Sequence, residues 1–412
     1  MSEPKITVII PTRERCDVLG KTLETVLAQD YERVQVIVSD NNSADHTRDV
    51  VGQFNDPRLR YINPGRRLSM SHHWEFALTH VDSGWLTILG DDDGLLPGAL
   101  TKVSSMVDSN SVEAIRFRVC GYAWPSASGP QFGTLTVPIA SGCEMRESSA
   151  WLQRALEGRA GYTDLPMLYN GGFVAHGVIE RVQRMTGSFY RSCIPDVYSA
   201  VAIASVTKRY LFCHEPLAIS GASRHSTGTA YFLSTQKKEG SSADLFHSEG
   251  IIPIHDDIAM SSDGRFPKSL QVMLFESYLQ SAPLRPGAEP VSRTRQLELA
   301  LASGVPNDPD LDDWARTYSR HHKLDYANAR RAATATRRML RMAAAARNFI
   351  DEVRTFECGS SDLPLRDVYE AALAAASIRE FGTHHRTWRG VLARRLMHRL
   401  RPGRLRSAVE HP

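Results

Sequence analysis

Apolar residues along this chain fall into short, nearly unbroken runs separated by stretches of helical period. Residues 6–10, 34–38 and 85–89 are such runs, rich in Ile, Val and Leu. A strand covered on both faces loses the apolar–polar alternation, so each run predicts a buried parallel strand. Between the first two, Leu19, Leu23, Val26 and Leu27 recur at helical spacing and stop at Gln29-Asp30. A helix over 44–54, a strand over 59–62 and a helix over 69–81 complete the alternation. Strand and helix in turn predict an α/β fold with a doubly wound sheet. Beyond it the pattern predicts a strand at 114–119, a loop-rich stretch at 121–142 and helices at 149–156 and 178–185. A tight turn falls at 169–172, an apolar helix runs from Pro195 through 206, and strands fall at 211–213 and 217–219. A helix at 266–280 follows. After a Pro- and Gly-rich linker at 283–290 only helices are expected, at 291–303, 311–352 and 365–381.

Composition narrows the class without naming a chemistry. The 412 residues exceed one ordinary domain, and 42% hydrophobic with 23% charged residues is globular. The boundaries fall at 1–230, divided near 107, then 231–290 and 291–412. Six scattered cysteines form no CxxC pair, which predicts a reducing compartment and neither a disulfide framework nor a cysteine metal site. The first residues show no charged-then-apolar leader, and no apolar run approaches the ~18 residues of a membrane span. The net charge of +3 is uninformative as a total. GxxxxGK[ST] and a GxGxxG after the first strand are both missing, which weakens kinase, ATPase and dinucleotide readings.

Chemistry gathers at three predicted strand ends. In doubly wound sheets ligands bind beyond the carboxyl ends of the strands. Pro11-Thr12-Arg13-Glu14-Arg15 leaves the first strand, Asp40 ends the second, and Asp91-Asp92-Asp93 follows the fourth. The first loop offers backbone groups, the Thr12 hydroxyl and the guanidinium groups of Arg13 and Arg15 to a nucleotide. Asp40 can accept an N–H from a base. Three adjacent carboxylates repel one another unless a cation lies between them, and oxygen-only ligands suit Mg²⁺ or Mn²⁺. Arg67, in the basic turn at 65–67, is a further phosphate contact. Structurally, an isolated Asp triplet can equally be a solvated cap on the helix that Pro97 begins.

Residues 5 to about 107 resemble glycosyltransferase family 2, the nucleotide-sugar-dependent transferases of the GT-A fold. The resemblance is carried by Ile6 to Arg13, by Val36 to Asp45, by Ile88 to Asp93 and by Pro97-Gly98-Ala99-Leu100, in that order and spacing. It implies a Rossmann-like, doubly wound mixed sheet of the GT-A fold, and the helical C-terminal extension lies outside the resemblance. Residues 1–107 would then be the nucleotide-binding half and 108–230 the acceptor-facing half of a catalytic domain. It also implies that Asp40 binds the base and that the triplet is the DxD-type metal motif. Asp92 is then the main ligand, Asp91 lies nearer the ribose and Asp93 shares either role. Many members begin the motif with Asp where this chain has Gly90.

Inverting members place an acidic residue on a helix facing the sugar, so the resemblance makes Asp196 the general base. On its own, an Asp behind Pro195 in a first helical turn is a favourable cap. His225, in the Ser- and Gly-rich loop at 220–228, is a candidate metal ligand, while His72-His73-Trp74 reads as core. The expected activity is metal-dependent, inverting transfer of a sugar from a nucleoside-diphosphate donor, UDP-sugars favoured, to an acceptor hydroxyl. The acceptor is a glycan, a lipid-linked saccharide or a small molecule, and surface-polysaccharide synthesis on the cytoplasmic side is one setting. A nucleotide-sugar pyrophosphorylase lacks support because its GxGTR-type loop is missing, and a non-catalytic sugar or nucleotide scaffold is the other alternative. Residues 314–350 hold eight arginines and Lys323 against Asp325, and 381–412 eight arginines against Glu410. Basic helices of this kind suit peripheral contact with an anionic membrane, or simple packing on the catalytic domain. No nucleic-acid module is recognisable, so no nucleic acid is expected.

Overall fold

The computed structural model describes residues 3–125, 132–226, 252–262, 269–288, 291–306, 308–360 and 362–381. The runs read as strands form the centre of one mixed sheet. β1 (Ile6–Thr12) lies between β2 (Val34–Asp40) and β4 (Trp85–Ile88), parallel to both, and β3 (Leu59–Ile62) extends β2 in parallel. β9 (Gly172–Ala175) enters antiparallel between β4 and β6 (Ala114–Ala123). β7 (Leu135–Pro138) and β11 (Thr355–Cys358) continue that edge. β10 (Arg209–Ala222) runs parallel to β6 and picks up β8 (Cys143–Glu147) and β5 (Gly94–Leu95) antiparallel.

Side-chain alternation sends each strand's apolar residues to two cores. Ile6, Val8 and Ile10 pack with Leu19, Leu23 and Val26 of α1 (Cys16–Leu27) and with Ala99, Leu100 and Val103 of α4 (Ala99–Ser109). Ile9, Leu86 and Ile88 face the opposite layer. There Trp74 of α3 (Met70–Leu78), Val178 of α6 (His176–Thr186) and Tyr198 of α7 (Pro195–Val206) cover them. Burying each such aliphatic side chain contributes about 1.5–3 kcal/mol before chain entropy is counted. α2 (Thr47–Gly52) is shorter than the predicted 44–54, because Asp45 accepts the Thr47 N–H and ends the preceding turn. α5 (Ser148–Leu156) and α7 pack against the C-terminal helices in a third core.

Several expectations are corrected. The strands expected at 211–213 and 217–219 are one, with its register shifted around Pro216, which has no N–H to donate. The single helix expected over 311–352 is two. α10 (Pro309–His322) ends at Lys323, whose φ of 54° leaves the helical region, and α11 (Tyr326–Val353) restarts behind Asp325, which caps the Asn328 N–H. The region after 291 is not all helical, since β11 pairs with β7. α8 (Leu270–Gln280) and α9 (Arg293–Ser303) join α10 and α11 in the third core. α12 (Val368–Phe381) instead returns to the N-terminal half, where Val368, Ala371 and Ala375 pack with Val18, Tyr122 and Ile219. Residues 382–412 and the loop at 237–242 lie outside the described residues. No helix among those described is long and apolar enough to cross a membrane.

Candidate active site

The parallel register sets the site. Thr12 and Asp40 are cross-strand partners at the ends of β1 and β2, and the Asn41 N–H donates to the Thr12 carbonyl. β4 ends beside them, so the first loop, Asp40 and the triplet share one rim of the sheet. Asp40 is buried. It accepts the Ser43 N–H at 3.0 Å and the Tyr61 hydroxyl at 2.6 Å, which fix its carboxylate at that rim.

The three triplet carboxylates have different environments. Asp91 forms an ion pair with Arg15 at 2.7 Å, and its Oδ2 is buried. The Thr12 hydroxyl, on the neighbouring strand, is likewise buried and favours the ionised form of Asp91. Asp92 Oδ2 takes the hydroxyls of Ser223 at 2.7 Å and Ser226 at 2.6 Å, both from the loop after β10. Asp93 points inward. Its Oδ1 accepts the Gly221 N–H at 2.7 Å, and its Oδ2 accepts the Gly90 N–H at 3.0 Å and the Tyr169 hydroxyl at 3.2 Å. Burial pushes Asp91 up, Arg15 opposes that shift and the Asp92 charge adds to it; burial and then Asp92 push Asp93 up further. Burial works against the Arg15 charge, yet Asp91 and Asp92 keep it firmly cationic.

Gly90 follows from this arrangement. A Cβ there would lie 2.6 Å from Asp93 Oδ2 and 2.9 Å from the Tyr169 hydroxyl, groups that their own hydrogen bonds hold in place. The Thr22 hydroxyl of α1 completes the frame, within hydrogen-bonding reach of the backbone carbonyls of Asp91 at 2.8 Å and Asp93 at 2.7 Å.

Asp196 lies in the first turn of α7 behind Pro195, as expected from the sequence. Tyr162 donates its hydroxyl to Asp196 Oδ2 at 3.0 Å. Burial raises the Asp196 pKa, opposed by the Val197 N–H and by Tyr162. Tyr169 joins this carboxylate to the triplet: its buried hydroxyl is pushed well up by burial and then by the charges of Asp93, Asp92, Asp196 and Asp91. Its ring stacks on Trp74 at 5.4 Å, and Tyr190 meets Trp74 edge-on at 5.9 Å. Trp74, Tyr169 and Tyr190 thus form one aromatic cluster against Asp93.

Not every candidate residue reaches the triplet. His225 turns its imidazole to Asp17 at 3.1 Å, and its backbone carbonyl accepts Arg15 at 2.7 Å. Arg67 pairs with Glu14, and Glu14 also accepts the N–H groups of Ala44 and Asp45, tying the first loop to the second. Arg13 lies near His73, whose pKa burial brings down to about 4, with Arg13 a minor contributor. Of the three residues read as core, His73 and Trp74 are buried and His72 is exposed. Tyr61, Tyr162, Tyr169, Ser223 and Ser226 were not singled out by the sequence. A Tyr-Asn-Gly-Gly turn and two serines around a histidine carry no distance information, so no local signal marked them.

Oxygen donors at Asp91 and Asp92, both buried, suit a hard divalent cation that takes its remaining oxygens from water and a diphosphate. Among the described residues no group of three or more His, Cys, Asp or Glu side chains is arranged to hold a metal ion. The fit is therefore to a cation shared with a ligand, not to a closed protein cage.

Residues 7–131 match the profile of Glycosyl transferase family 2. Over 101 residues the chain is 37% identical to the GalNAc(5)-diNAcBac-PP-undecaprenol beta-1,3-glucosyltransferase of Campylobacter jejuni, covering 24% of this chain and 33% of that protein. It is 24% identical over 117 residues to the UDP-Glc:alpha-D-GlcNAc-diphosphoundecaprenol beta-1,3-glucosyltransferase WfaP of Escherichia coli, covering 28% and 45%. The matches thus span between a third and a half of those relatives. Among solved structures, S. aureus TarS 1-349 in complex with UDP-GlcNAc superposes with a TM-score of 0.45 at 12% identity, over 78% of this chain and 93% of that one. The matched segment holds the first loop, Asp40 and the triplet, and Asp196 and His225 lie beyond it. Residues 7–131 of this chain are thus similar to glycosyl transferase family 2.

Proposed function

We propose that the protein transfers a sugar from a nucleoside-diphosphate donor to an acceptor hydroxyl, with a divalent cation and inversion at the anomeric carbon. The observation that carries this reading is the convergence of the buried Thr12 hydroxyl, Asp40 and Asp91 on adjacent strand ends. Buried polar groups gathered beyond the carboxyl ends of parallel strands suit a polar ligand. Asp91 and Asp92 would hold a Mn²⁺ or Mg²⁺ ion, which when bound neutralises the charge of the diphosphate leaving group.

The chain's own residues do the rest. Asp40, oriented by Tyr61, accepts an N–H of the base, and UDP is the favoured nucleotide. Arg15 holds Asp91 in place. Asp93, all of whose bonds run inward, fixes the turn. Tyr169, stacked on Trp74, holds Asp93 through its hydroxyl. Asp196 takes the acceptor hydroxyl's proton as that oxygen attacks, and its raised pKa brings it closer to the range where a general base is effective.

The relatives' names point to a lipid diphosphate-linked saccharide as acceptor. Membrane contact would follow from the outer face of α11, where Arg331, Arg338 and Arg341 flank the exposed Met339 and Met342. That would place the protein peripherally on the cytoplasmic face. Sedimentation with vesicles rich in phosphatidylglycerol, and no sedimentation with phosphatidylcholine alone, is the expected result.

Calorimetric titration with UDP, GDP and dTDP, with and without Mn²⁺, tests the core of the reading. Metal-dependent binding of one nucleotide, lost in Asp92→Ala, is expected. No binding under any condition would favour a non-catalytic scaffold.

A further inference from the structure

Glu276 of α8 is fully buried, and among the described residues no cation pairs with it. Its Oε1 accepts the Gln280 amide at 3.0 Å. Its Oε2 accepts the Ser192 hydroxyl at 2.5 Å. Burying a carboxylate without a cation is costly, and a glutamine of the same shape would fill this space at lower cost. A carboxylate retained under those conditions needs a reason in what it holds.

What it holds is the approach to Asp196. The Ser192 hydroxyl oxygen accepts the Ile194 N–H at 3.3 Å, and the Ile194 carbonyl accepts the Tyr198 N–H, the bond that opens α7. Ser71 of α3 grips the Ser192 carbonyl at 2.6 Å. Glu75 of the same helix accepts the N–H groups of Phe189 at 3.0 Å and Tyr190 at 2.8 Å. The segment from Phe189 to Pro195 is thus clamped by α3 on one side and by α8 on the other. α8 also carries apolar residues of the third core, so the clamp links the C-terminal helices to the first turn of α7.

We infer that Glu276 is a positioning residue: through Ser192 it fixes the first turn of α7 and with it the burial and orientation of the Asp196 carboxylate. This rests on the reading of Asp196 as the base. The titratable residues around Glu276 are Cys193 and Tyr198, both kept neutral by burial, and His255, whose backbone N–H also favours the ionised Glu276.

The test follows the carboxyl carbon of Asp196 by NMR through a pH titration of the full-length protein labelled with ¹³C-aspartate, with Asp196→Asn assigning the signal. Loosening the first turn admits water and lets the Asp196 midpoint fall toward the ordinary carboxylate range. In Glu276→Gln and in Ser192→Ala the midpoint should fall by at least about half a pH unit, with Mn²⁺-dependent UDP affinity unchanged. Ser192→Ala leaves the Glu276 carboxyl group in place, so a shift in Glu276→Gln alone does not run through Ser192 and overturns the inference. Unchanged midpoints in both, or a shift in Ser192→Ala alone, overturn it too. Should Glu276→Gln fail to fold, Gln280→Ala, which strips the carboxylate's other partner, must give the same direction or the inference falls. If Asp196→Asn keeps the full rate of UDP-glucose or UDP-GlcNAc hydrolysis, the base reading fails, whatever these midpoints do.

Discussion

Gly221 presses against the triplet from the end of β10: a Cβ built on it would lie 1.8 Å from the backbone carbonyl oxygen of Asp92. The same residue donates its N–H to Asp93 at 2.7 Å. No side chain fits between two backbones at that distance, so strand and turn must separate if one is added. Gly221→Ala should therefore cost about 3 kcal/mol of stability and weaken Mn²⁺-dependent nucleotide binding by more than tenfold. Urea unfolding and calorimetry read the two effects. Wild-type values for both would mean that β10 does not set the turn.

The close fit explains what could be seen in advance. The strands through 89 were legible because continuous Val, Ile and Leu runs have one economical use, a strand covered on both faces. Thr12, Asp40 and the triplet followed, since they sit where such strands end. β9 and β5 were not legible: Gly172 to Ala175 and Gly94-Leu95 are too short to show a period, and their pairing depends on chain far away in sequence. β11 was hidden for the same reason, four residues directly after a 28-residue helix. Tyr169 and Ser223 act on Asp93 and Asp92 across separations of 76 and 131 positions, which no local pattern encodes.

The unequal environments of the three aspartates predict unequal phenotypes. Asp92→Ala removes a proposed metal donor and releases Ser223 and Ser226, so metal-dependent UDP binding should disappear. Asp93→Asn keeps the shape but loses one of three accepted hydrogen bonds inside the protein. It should cost about 1–3 kcal/mol of stability, with UDP affinity reduced by no more than about tenfold (1.4 kcal/mol, small beside loss of a metal donor). Calorimetry beside thermal unfolding separates them. Complete loss of binding in a folded Asp93→Asn would return Asp93 to the ligand set.

Asp196 and Tyr162 should separate by rate and by pH. Asp196→Asn leaves nucleotide affinity intact and lowers the transfer or donor-hydrolysis rate by about 10²–10⁴-fold, the usual worth of a general base. The Tyr162 hydroxyl favours the ionised form of Asp196. Removing it in Tyr162→Phe raises the Asp196 pKa further, so the acid limb of kcat/KM should move to higher pH. A limb that stays in place or moves to lower pH would show that Asp196 is not the group being titrated.

Glu276 makes a prediction about stability that needs no substrate. Burial lifts its pKa from the ordinary 4.5 to about 7, opposed by the Ser192 hydroxyl and the Gln280 amide. Between those values the folded protein holds a proton that the unfolded chain has released. The proton's contribution is complete below about 4.5 and is lost as pH rises through about 7. That separation corresponds to about 3 kcal/mol. Wild type should therefore lose stability relative to Glu276→Gln as pH rises over this window, and the two curves should run parallel above it. Urea unfolding of both proteins from pH 4.5 to 8 measures the difference directly. A flat difference would mean that Glu276 ionises as an exposed glutamate does, which its burial argues against.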